Sequence, residues 1–512
     1  MQTVRVPGAC LNGAEAEIVT VEAWFEPARE GTNAPARTEV SLSGLPDAVV
    51  RDARTRVLTA LTRVGLGPGP GRLHLNLVPA GRRKRGELLD LPLALAASAA
   101  SGHLDVESLA SLLCLGELGI DGRIHDQSGG LAAADAARRA GIGAVVAPPR
   151  MALEASHLPG VSATAVHTLD EAIGTLWGRG PRRLTRPDLE EAPRNRHGLE
   201  RVRGQALGLH AACVAAAGGH GLLMVGPPGT GKSLIARALV DLLPAPSFDD
   251  RLEITRVLSA AGRWPGGLVD ARPFRAPHHT VSFAGLVGGG SPPQPGEITL
   301  AHRGLLFLDE LTEFKRDVLE TLRQPLESGT ITISRAAGRL QLPAAFQLVA
   351  AMNPCPCGFQ GHPTRACRDT PNSIRRYRDR VSGPLLDRID LRVELGPPSV
   401  ASLTARSERE IDGDRHVDPA GLQSSVDRAR ARASERQGGL PNAALDADAL
   451  DLHAPLTGAG LDLVSAAAER RGLSARAIQS LRRVARTLAD LADLEQPGIE
   501  QFAEALELRR EL

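Results

Sequence analysis

Residues 221–233 read GLLMVGPPGTGKS, and this stretch decides the fold of the part of the chain that contains it. The apolar run at 221–225 predicts a short buried strand, and the helical pattern at 234–243 predicts a helix directly after the glycine-rich segment. The pattern G-x-x-x-x-G-K-S/T has the properties of a phosphate-binding loop only in this strand–loop–helix context. The candidate nucleotide-binding residues are Gly226, Pro227, Pro228, Gly229, Thr230, Gly231, Lys232 and Ser233.

The residue types in this loop fit a triphosphate. Its glycines let backbone N–H groups close around an anion, and the following helix directs its positive end toward that anion. We expect Lys232 to bind the β- and γ-phosphates of ATP and the Ser233 hydroxyl to bind Mg²⁺. The chain has only three lysines (Lys84, Lys232 and Lys315), so a lysine at this position is informative. The alternative is an ordinary Gly/Pro turn before a buried helix.

Polar residues follow two further buried strands. Residues 304–308 (GLLFL) predict a strand that ends at Asp309 and Glu310, and residues 346–352 (FQLVAAM) predict one that ends at Asn353. In an open α/β sheet, ligand chemistry lies at the carboxyl ends of the strands. Asp309 is therefore predicted to bind Mg²⁺ and Glu310 to orient or deprotonate water, while Asn353 holds that water or the γ-phosphate. The alternatives are exposed strand-end carboxylates and an Asn-Pro turn.

Two arginines are candidates for contact with the triphosphate. Arg388 lies where a helix ends and a strand begins, in GPLLDRID at 383–390, and is predicted to reach the nucleotide of a neighbouring subunit. Arg476 lies in the first turn of a predicted helix after the N-cap Ser474, where a positive charge opposes the helix dipole. That local cost suggests a γ-phosphate contact, and an ordinary surface arginine is the alternative.

Composition excludes several classes of protein. The chain has 512 residues, which suggests about three domains. It carries 60 Lys and Arg against 59 Asp and Glu, so it is not a globally basic nucleic-acid coat. Aromatic residues are 3% of the total, which disfavours a protein that binds mainly by stacking bases. No apolar run reaches the roughly 20 residues that cross a bilayer, and no export signal is visible, so we expect a cytoplasmic protein without membrane contact.

The chain divides into four predicted segments: an α+β domain at 1–177, a Pro- and Arg-rich linker at 178–203, the phosphate-loop domain at 204–398 and a helical segment at 399–512. In the first, strands are predicted at 17–23, 72–78, 114–120 and 144–147, and helices at 46–64, 91–100 and 131–140. The loop GRRKRG at 81–86, which includes Lys84, is expected to be solvated. In the last, helices are predicted at 419–437, 461–471, 475–491 and 499–511.

Five long motifs resemble AAA+ ATPases of the magnesium-chelatase-like branch that contains YifB and the competence protein ComM. They are RPFRAPHHT at 272–280, PGEITLAHRGLLFLDE at 295–310, ISRAAG at 333–338, MNPCPCG at 352–358 and SGPLLDRID at 382–390. The resemblance covers nearly the whole chain. It implies Walker A residues Lys232 and Ser233, Walker B residues Asp309 and Glu310, sensor 1 Asn353, arginine finger Arg388 and sensor 2 Arg476.

The resemblance also implies an architecture. It is α/β, with an N-terminal domain like that of Lon proteases (similar to ribosomal S5 domain 2), a central AAA+ P-loop domain with a parallel sheet, and a C-terminal helical lid of the magnesium-chelatase type. Proteolysis is not expected, because residues 85–97 contain no Ser, Thr or Cys nucleophile and Ala132 stands where the lysine of the Ser–Lys dyad would be. Relatives form homohexameric rings, and ComM-like relatives use ATP to drive branch migration on single-stranded or branched DNA.

Two segments between the motifs have a predicted use. Residues 248–300 are too long for an ordinary connection and resemble the helix-2 insertion of this branch. Residues 330–334 and 340–342 predict a hairpin before the sensor strand, with Arg335 and Arg339 at its tip. These arginines are interpreted either as contacts to a threaded DNA strand or as ordinary surface charges. His278 and His279 are expected to have a structural or pore-loop role rather than to share a metal.

Three of the six cysteines cluster. Cys355, Cys357 and Cys367 come from two short turns, which suits a tetrahedral Zn²⁺ site better than a disulfide in a reducing compartment. Related proteins resemble C-x-C followed by a second C-x-C, and here Asp369 occupies the fourth position. The cluster is therefore either a zinc site completed by Asp369 or His362, or a site that has lost its metal.

These features together predict a ring-forming, Mg²⁺-dependent ATPase that remodels DNA, similar to a ComM-type branch-migration helicase acting in recombination during natural transformation. Two alternatives remain open. One is a chelatase-type motor that acts on a protein partner, and the other is a scaffold that binds ATP with little turnover.

Overall fold

A computed structural model describes residues 3–28, 37–81, 84, 86–187, 197–290, 294–335, 338–398 and 418–510. The described chain divides into two compact units. The first contains the described residues up to 187 together with Arg251–Val269, and the second contains those from 197 to Asp250 and from Asp270 onward. The segment Arg251–Val269 thus packs with the first unit, although it lies inside the predicted insertion. The four predicted boundaries stay a prediction.

The first unit has two main sheets. The larger has the strand order β1-β2-β4-β3, and the smaller is a parallel sheet with the order β5-β8-β9. The strands are β1 (Val4–Asn12), β2 (Glu15–Pro27), β3 (Thr38–Ser43), β4 (Gly71–Val78), β5 (Leu112–Cys114), β6 (Glu117–Leu118), β7 (Ile124–His125), β8 (Ala144–Ala147) and β9 (Ser162–Ala165). The helices are α1 (Ala48–Arg63), α2 (Asp90–Ala100), α3 (Gly130–Arg139), α4 (Pro149–Ser156) and α5 (Leu169–Leu176).

Alternation of apolar and polar residues forms the larger sheet. In β4 every second residue is buried, and α1 covers the sheet with Val50, Val57 and Leu61. The side chain of Asp47 accepts a hydrogen bond from the Val50 N–H and so caps the start of α1. The predicted strands at 17–23, 72–78 and 144–147 and the three predicted helices are confirmed within a few residues at each end.

Two predictions in this unit are wrong. The strand predicted at 114–120 is split into β5 and β6, because Gly116 between them has φ +152° and a Cβ there would lie 2.4 Å from Ile124 Cγ2. Lys84 is not solvated: it is 2% exposed, and its Nζ donates to the Pro79 carbonyl. Burial lowers the pKa of Lys84. At the position of the missing dyad lysine, Ala132 is buried in α3.

The second unit is built on a five-stranded parallel sheet with the order β11-β14-β17-β10-β18. Its strands are β10 (Leu222–Val225), β11 (Phe274–Arg275), β14 (Leu305–Leu308), β17 (Gln347–Met352) and β18 (Leu391–Glu394). Two small antiparallel pairs accompany it: β12 (Gly288–Gly289) with β13 (Gln294–Pro295), and β15 (Thr330–Arg335) with β16 (Gly338–Pro343). The predicted hairpin and the three predicted central strands are confirmed.

The helices from residue 206 onward include those that pack against this sheet and those of the helical C-terminal segment. They are α6 (Ala206–Gly218), α7 (Lys232–Leu242), α8 (Phe248–Ala260, which continues into the first unit), α9 (Phe283–Val287), α10 (Glu297–Leu300), α11 (Arg316–Glu320), α12 (Arg323–Ser328), α13 (Pro371–Arg378), α14 (Gly383–Leu386), α15 (Pro419–Gln437), α16 (Ala447–His453), α17 (Gly458–Arg471), α18 (Ala475–Leu491) and α19 (Ile499–Glu507). The four helices predicted at 419–437, 461–471, 475–491 and 499–511 correspond to α15, α17, α18 and α19. Among the described residues, no helix combines the length and the apolar character that a bilayer crossing needs.

Candidate functional site

The phosphate-type loop connects the central strand β10 to α7. β10 is fully buried between β17 and β18, so its end is fixed in the middle of the sheet. Gly229 and Gly231 have φ of +82° and +84°, a left-handed conformation that side chains with a Cβ rarely adopt. A Cβ on Gly226 would lie 2.5 Å from the Leu395 carbonyl oxygen. These glycines therefore fix the path of the loop that ends at Lys232.

Lys232 lies inside the loop rather than in solvent. It is 9% exposed, and its Nζ donates to the carbonyl oxygens of Gly226 at 2.7 Å and Pro227 at 2.9 Å. The same Nζ lies 3.4 Å from Asn353 Oδ1 at the end of β17. Burial lowers the pKa of Lys232, and the nearby carboxylates of Asp309 and Glu310 oppose that shift. The ammonium is thus held inside the loop by its backbone carbonyls.

Ser233 and Asp309 meet although Ser233 lies in the first turn of α7 and Asp309 follows β14. Asp309 follows β14, and its Oδ2 accepts a hydrogen bond from Ser233 Oγ at 2.8 Å. A hydroxyl and a carboxylate are the oxygen ligands that Mg²⁺ prefers in nucleotide sites. The donor set therefore fits this ion, and the role of both residues as its ligands stays a prediction.

Glu310 is held by its backbone and by a histidine. Its φ is +52°, a left-handed conformation that is uncommon for a residue with a Cβ, and its N–H donates to Asp309 Oδ1 at 3.0 Å. His279 Nδ1 lies 3.2 Å from Glu310 Oε2, and the His278 ring lies 4.1 Å from the His279 ring. Strain of this kind persists only where the surroundings impose it, and it is frequent at functional sites.

The end of β17 packs against the phosphate-type loop. Asn353 follows this strand, and Gly358, a few residues later, approaches the loop so closely that a Cβ there would lie 2.8 Å from Pro228 Cδ. Gly358 also has a positive φ of +81°. The turn after Asn353 is therefore in direct contact with the candidate nucleotide site.

The two candidate arginines share one carboxylate. Glu327, near the end of α12, accepts hydrogen bonds from Arg388 Nη2 and, at 2.7 Å, from Arg476 Nη2. The side chain of Arg388 is only 9% exposed and also donates to the Pro384 carbonyl at 2.6 Å. The hydrogen bond from Arg476, with the charge of Arg388, lowers the pKa of Glu327. The arginines are thus brought to one place, on a residue that is not part of the loop or the acidic pair.

A buried network fixes the segment that carries Arg388 to the C-terminal helix α18. Asp390 accepts hydrogen bonds from His220 at 2.9 Å and from Ser480 of α18 at 2.6 Å, and Arg509 donates to Ser480 and to the Asp390 carbonyl. Burial pushes the pKa of Asp390 up, but the hydrogen bond and charge of His220, with Ser480 and Arg509, hold it below its usual range. Since α18 also carries Arg476, this network sets the position of both arginines.

The three clustered cysteines also converge. The Sγ atoms of Cys355, Cys357 and Cys367 lie 3.4–3.6 Å apart, and Asp369 joins them. His362 is not in the group of ligand atoms that lie within 4.8 Å of one another, and its Nδ1 accepts from the Thr364 and Arg365 N–H groups. Of the two residues that the sequence left open as a fourth ligand, the structure brings only Asp369 to the thiols.

The hairpin arginines are placed only through their backbone. Arg335 ends β15 opposite Gly338, and Arg339 pairs with Ser334 one position further from the turn. Residues 336 and 337 between them lie outside the described residues. Contact of these arginines with DNA stays a prediction.

Sequence reasoning missed two residues of this site. Glu327 stands in an ordinary helical segment before the hairpin, and no local pattern marks it. His279 lies in the motif RPFRAPHHT and was expected to have a structural or pore-loop role, whereas the structure places it on Glu310. No local pattern marks this pairing, because β11 was not predicted and its place beside β14 is set by the sheet.

Comparisons with known proteins agree along the whole chain. Three family models match: "Subunit ChlI of Mg-chelatase" at residues 31–151, "Magnesium chelatase, subunit ChlI" at 198–403 and its C-terminal domain at 418–509. The competence protein ComM of Haemophilus influenzae is 37% identical over 97% of this chain and 95% of its own length. The protein YifB of Escherichia coli is 37% identical over 94% and 95%. This chain belongs to the YifB/ComM-type, magnesium-chelatase-like family.

Membership of the YifB/ComM-type family agrees with the mixed α/β fold. An uncharacterised protein of Mycobacterium tuberculosis is 38% identical over 99% of this chain and 98% of its own length. A 38 kDa magnesium-chelatase subunit of Cereibacter sphaeroides is 27% identical over 44% of this chain. Relatives of the YifB/ComM type therefore match this chain over its full length, whereas the chelatase subunit matches less than half of it.

Proposed function

We propose that this chain is a Mg²⁺-dependent ATPase that assembles into a homohexameric ring and remodels DNA as a branch-migration motor. The observation that carries the ATPase part is the convergence of Lys232, Ser233, Asp309, Glu310 and Asn353 at one edge of the parallel sheet. Ligand chemistry in open α/β sheets occurs at this edge. The loop supplies the anion site, and the two following strands supply the acidic and amide groups.

Each of these side chains has a distinct part in hydrolysis. The Lys232 ammonium exchanges the carbonyls of Gly226 and Pro227 for phosphate oxygens when ATP enters. Glu310 orients a water molecule and accepts a proton from it. The water oxygen forms a bond to the γ-phosphorus, and the bond from the γ-phosphorus to the oxygen that bridges it to the β-phosphate breaks. Asn353 holds that water or the γ-phosphate in position. ADP and phosphate leave.

Ser233 and Asp309 would hold Mg²⁺, which neutralises charge on the phosphates when bound. Their own contribution is geometric. The hydrogen bond between them keeps the hydroxyl and the carboxylate oxygen 2.8 Å apart before the ion enters. Little side-chain entropy then remains to be lost on binding.

The arginines support a site that is completed by an adjoining subunit. Arg388 and Arg476 both contact Glu327 rather than the loop that precedes α7. A guanidinium that reaches the γ-phosphate from a neighbour stabilises the charge of the transition state and couples hydrolysis to assembly. In this proposal one subunit presents both arginines together to the nucleotide of the next.

Mixing of variants tests the shared site. Lys232→Ala and Arg388→Ala subunits are each expected to be inactive alone, but a mixture contains interfaces with one intact loop and one intact arginine. ATPase activity should therefore return on mixing. The same experiment with Lys232→Ala and Arg476→Ala tells whether Arg476 acts from the neighbour. Monomers that hydrolyse ATP at full rate would contradict the ring.

DNA as the substrate is supported by the family rather than by a contact. The full-length relative from Haemophilus influenzae is named a competence protein. The test is steady-state ATPase activity without DNA and with single strands, duplex and a four-way junction. We expect the largest stimulation with the junction, together with ATP-dependent conversion of the junction to products. Equal rates with every DNA would instead favour a motor that acts on a protein partner, and negligible turnover would favour a scaffold.

A further inference from the structure

The cysteine cluster brings its sulfur atoms close together. Cys355 is buried, Cys357 and Cys367 are half-buried, and their Sγ atoms form a triangle with sides of 3.4, 3.6 and 3.6 Å. A tetrahedral ion with metal–sulfur bonds of about 2.3 Å would separate its sulfur ligands by about 3.8 Å. The three thiols are therefore within a few tenths of an ångström of that arrangement.

Asp369 provides the fourth ligand atom for a tetrahedral site. Its Oδ2 lies 3.8 Å from Cys367 Sγ, and one ligand atom of each of the four residues lies within 4.8 Å of all the others. Carboxylate oxygen is a common zinc ligand beside thiolate. The donor set is thus three sulfurs and one oxygen, and every corner of a tetrahedron has a protein ligand.

Backbone groups already orient these ligands. The Cys357 N–H donates to Asp369 Oδ2 at 2.8 Å, and the Gln360 N–H donates to Cys355 Sγ at 3.4 Å. Such outer hydrogen bonds fix ligand orientation and add to metal affinity. Gly358 and Gly361, with φ of +81° and +76°, provide the sharp turns that return the chain to the cluster.

We propose that Cys355, Cys357, Cys367 and Asp369 bind one Zn²⁺ ion, which acts as a structural crosslink of the turn between β17 and α13. A site in which protein ligands fill all four positions leaves no room for a substrate, so the role is structural rather than catalytic. The ion closes the segment that begins directly after Asn353 and contacts Pro228 through Gly358.

The other side of the same turn is held by an arginine. Arg378 of α13 donates to the Pro354 carbonyl and, at 3.0 Å, to Gln360 Oε1. The metal and Arg378 thus tie the turn at both ends. Loss of the metal should loosen the turn beside the loop even where the rest of the unit stays folded.

Metal content is the direct test. Full-length protein without an affinity tag, purified under reducing conditions, should contain about one Zn²⁺ per chain by mass spectrometry of the metal. Replacement with Co²⁺ should give the absorption bands of a tetrahedral thiolate site. Cys367→Ser should lose both signals, and Cys10→Ser, which changes a half-buried cysteine outside the cluster, should keep them.

A second variant keeps the proposal testable if Cys367→Ser does not fold. Asp369→Cys completes four thiolates, so it should shift the Co²⁺ bands and slow the loss of Zn²⁺ to a chelator by about tenfold or more. Wild-type protein that is folded, lacks Zn²⁺ and gives no Co²⁺ bands would overturn the proposal. So would a disulfide between two of the three cysteines in reduced material. Both readouts are independent of ATP hydrolysis, and therefore of the proposed function.

Discussion

Ser233 Oγ donates to Asp309 Oδ2 at 2.8 Å, although the two residues are 76 positions apart in the sequence. The contact exists because β10 and β14 both neighbour β17 and end at the same edge of the sheet. One strand delivers the loop and its serine, and the other delivers the acidic pair. The shared edge therefore brings the loop and the acidic pair together.

Glu310→Gln should remove hydrolysis while ATP binding persists. The amide keeps the size of the side chain but cannot accept a proton from water, so we expect kcat to fall by about a hundredfold or more. Phosphate release measures kcat, and retention of labelled nucleotide measures binding. Glu313→Gln is the matched control, because Glu313 is a nearby carboxylate that pairs with Arg380 at 3.1 Å. Normal turnover in Glu310→Gln would make the assignment of Glu310 wrong.

His279→Ala should lower kcat without changing KM for ATP. His279 acts only through Glu310, which it contacts at 3.2 Å, so its loss should misplace the carboxylate and reduce kcat by about tenfold. It should also alter the pH dependence of kcat. His278→Ala is the control, since this ring contacts His279 rather than Glu310. A pure rise in KM would point to a role in binding instead.

Glu327→Ala should impair turnover by releasing two arginines at once. Arg388 and Arg476 both donate to this carboxylate, so without it Arg476 loses this partner and Arg388 is left with its hydrogen bond to the Pro384 carbonyl. We expect kcat to fall by about tenfold or more while binding of ATP to the isolated subunit is unchanged. Glu320→Gln, a carboxylate paired with Arg323, serves as the control. Unchanged kcat would show that the arginines do not depend on Glu327.

Asp390→Asn should destabilise the second unit and make its free energy of unfolding depend less on pH in the acid range. The folded-state pKa of Asp390 lies below its usual range, so its contribution is present above about pH 4 and is lost as the pH falls below that value. At neutral pH we expect a loss of about 3 kcal/mol, because the buried Arg509 would lose the larger of the two negative charges that oppose its own. Calorimetry against pH measures the effect. Asp387→Asn, on the same segment but more exposed, should show little of it.

Asp90→Asn should change the pH dependence of stability in the opposite direction from Asp390→Asn. Burial raises the pKa of Asp90 to about 6, against the hydrogen bond and charge of Arg56. The contribution of Asp90 to stability is therefore full below about pH 4 and is lost as the pH rises through about 6, and this slope should vanish in the variant.

Tryptophan fluorescence can follow this transition separately. All three tryptophans, Trp24, Trp177 and Trp264, belong to the first unit. Asp52→Asn, an exposed change on α1, is the control and should keep the wild-type slope. A slope that is equal in wild type and Asp90→Asn would contradict the raised pKa.

Local patterns were sufficient for much of the fold. The apolar runs before Gly226, Asp309 and Asn353 are short enough to be strands and too apolar to be exposed, so strand type and strand ends were predictable. Helices such as Pro419–Gln437 and Ala475–Leu491 were predicted with their observed ends, because a Pro or Ser at the start and a glycine or the end of the apolar period mark them. The prediction of one strand at 114–120 was wrong because the effect of Gly116 depends on Ile124, which lies in a different strand.

The sequence by itself determined the phosphate-type loop, the strand-end acids and the cysteine cluster, since each is a contiguous motif whose chemistry follows from its own residues. Only the tertiary structure decided which residues hold these groups. Glu327 on Arg388 and Arg476 and His279 on Glu310 are pairings between segments distant in the chain, and the burial of Lys84 depends on the fold around it. Such contacts depend on which elements the sheet and the C-terminal helices bring side by side, and no local spacing encodes that.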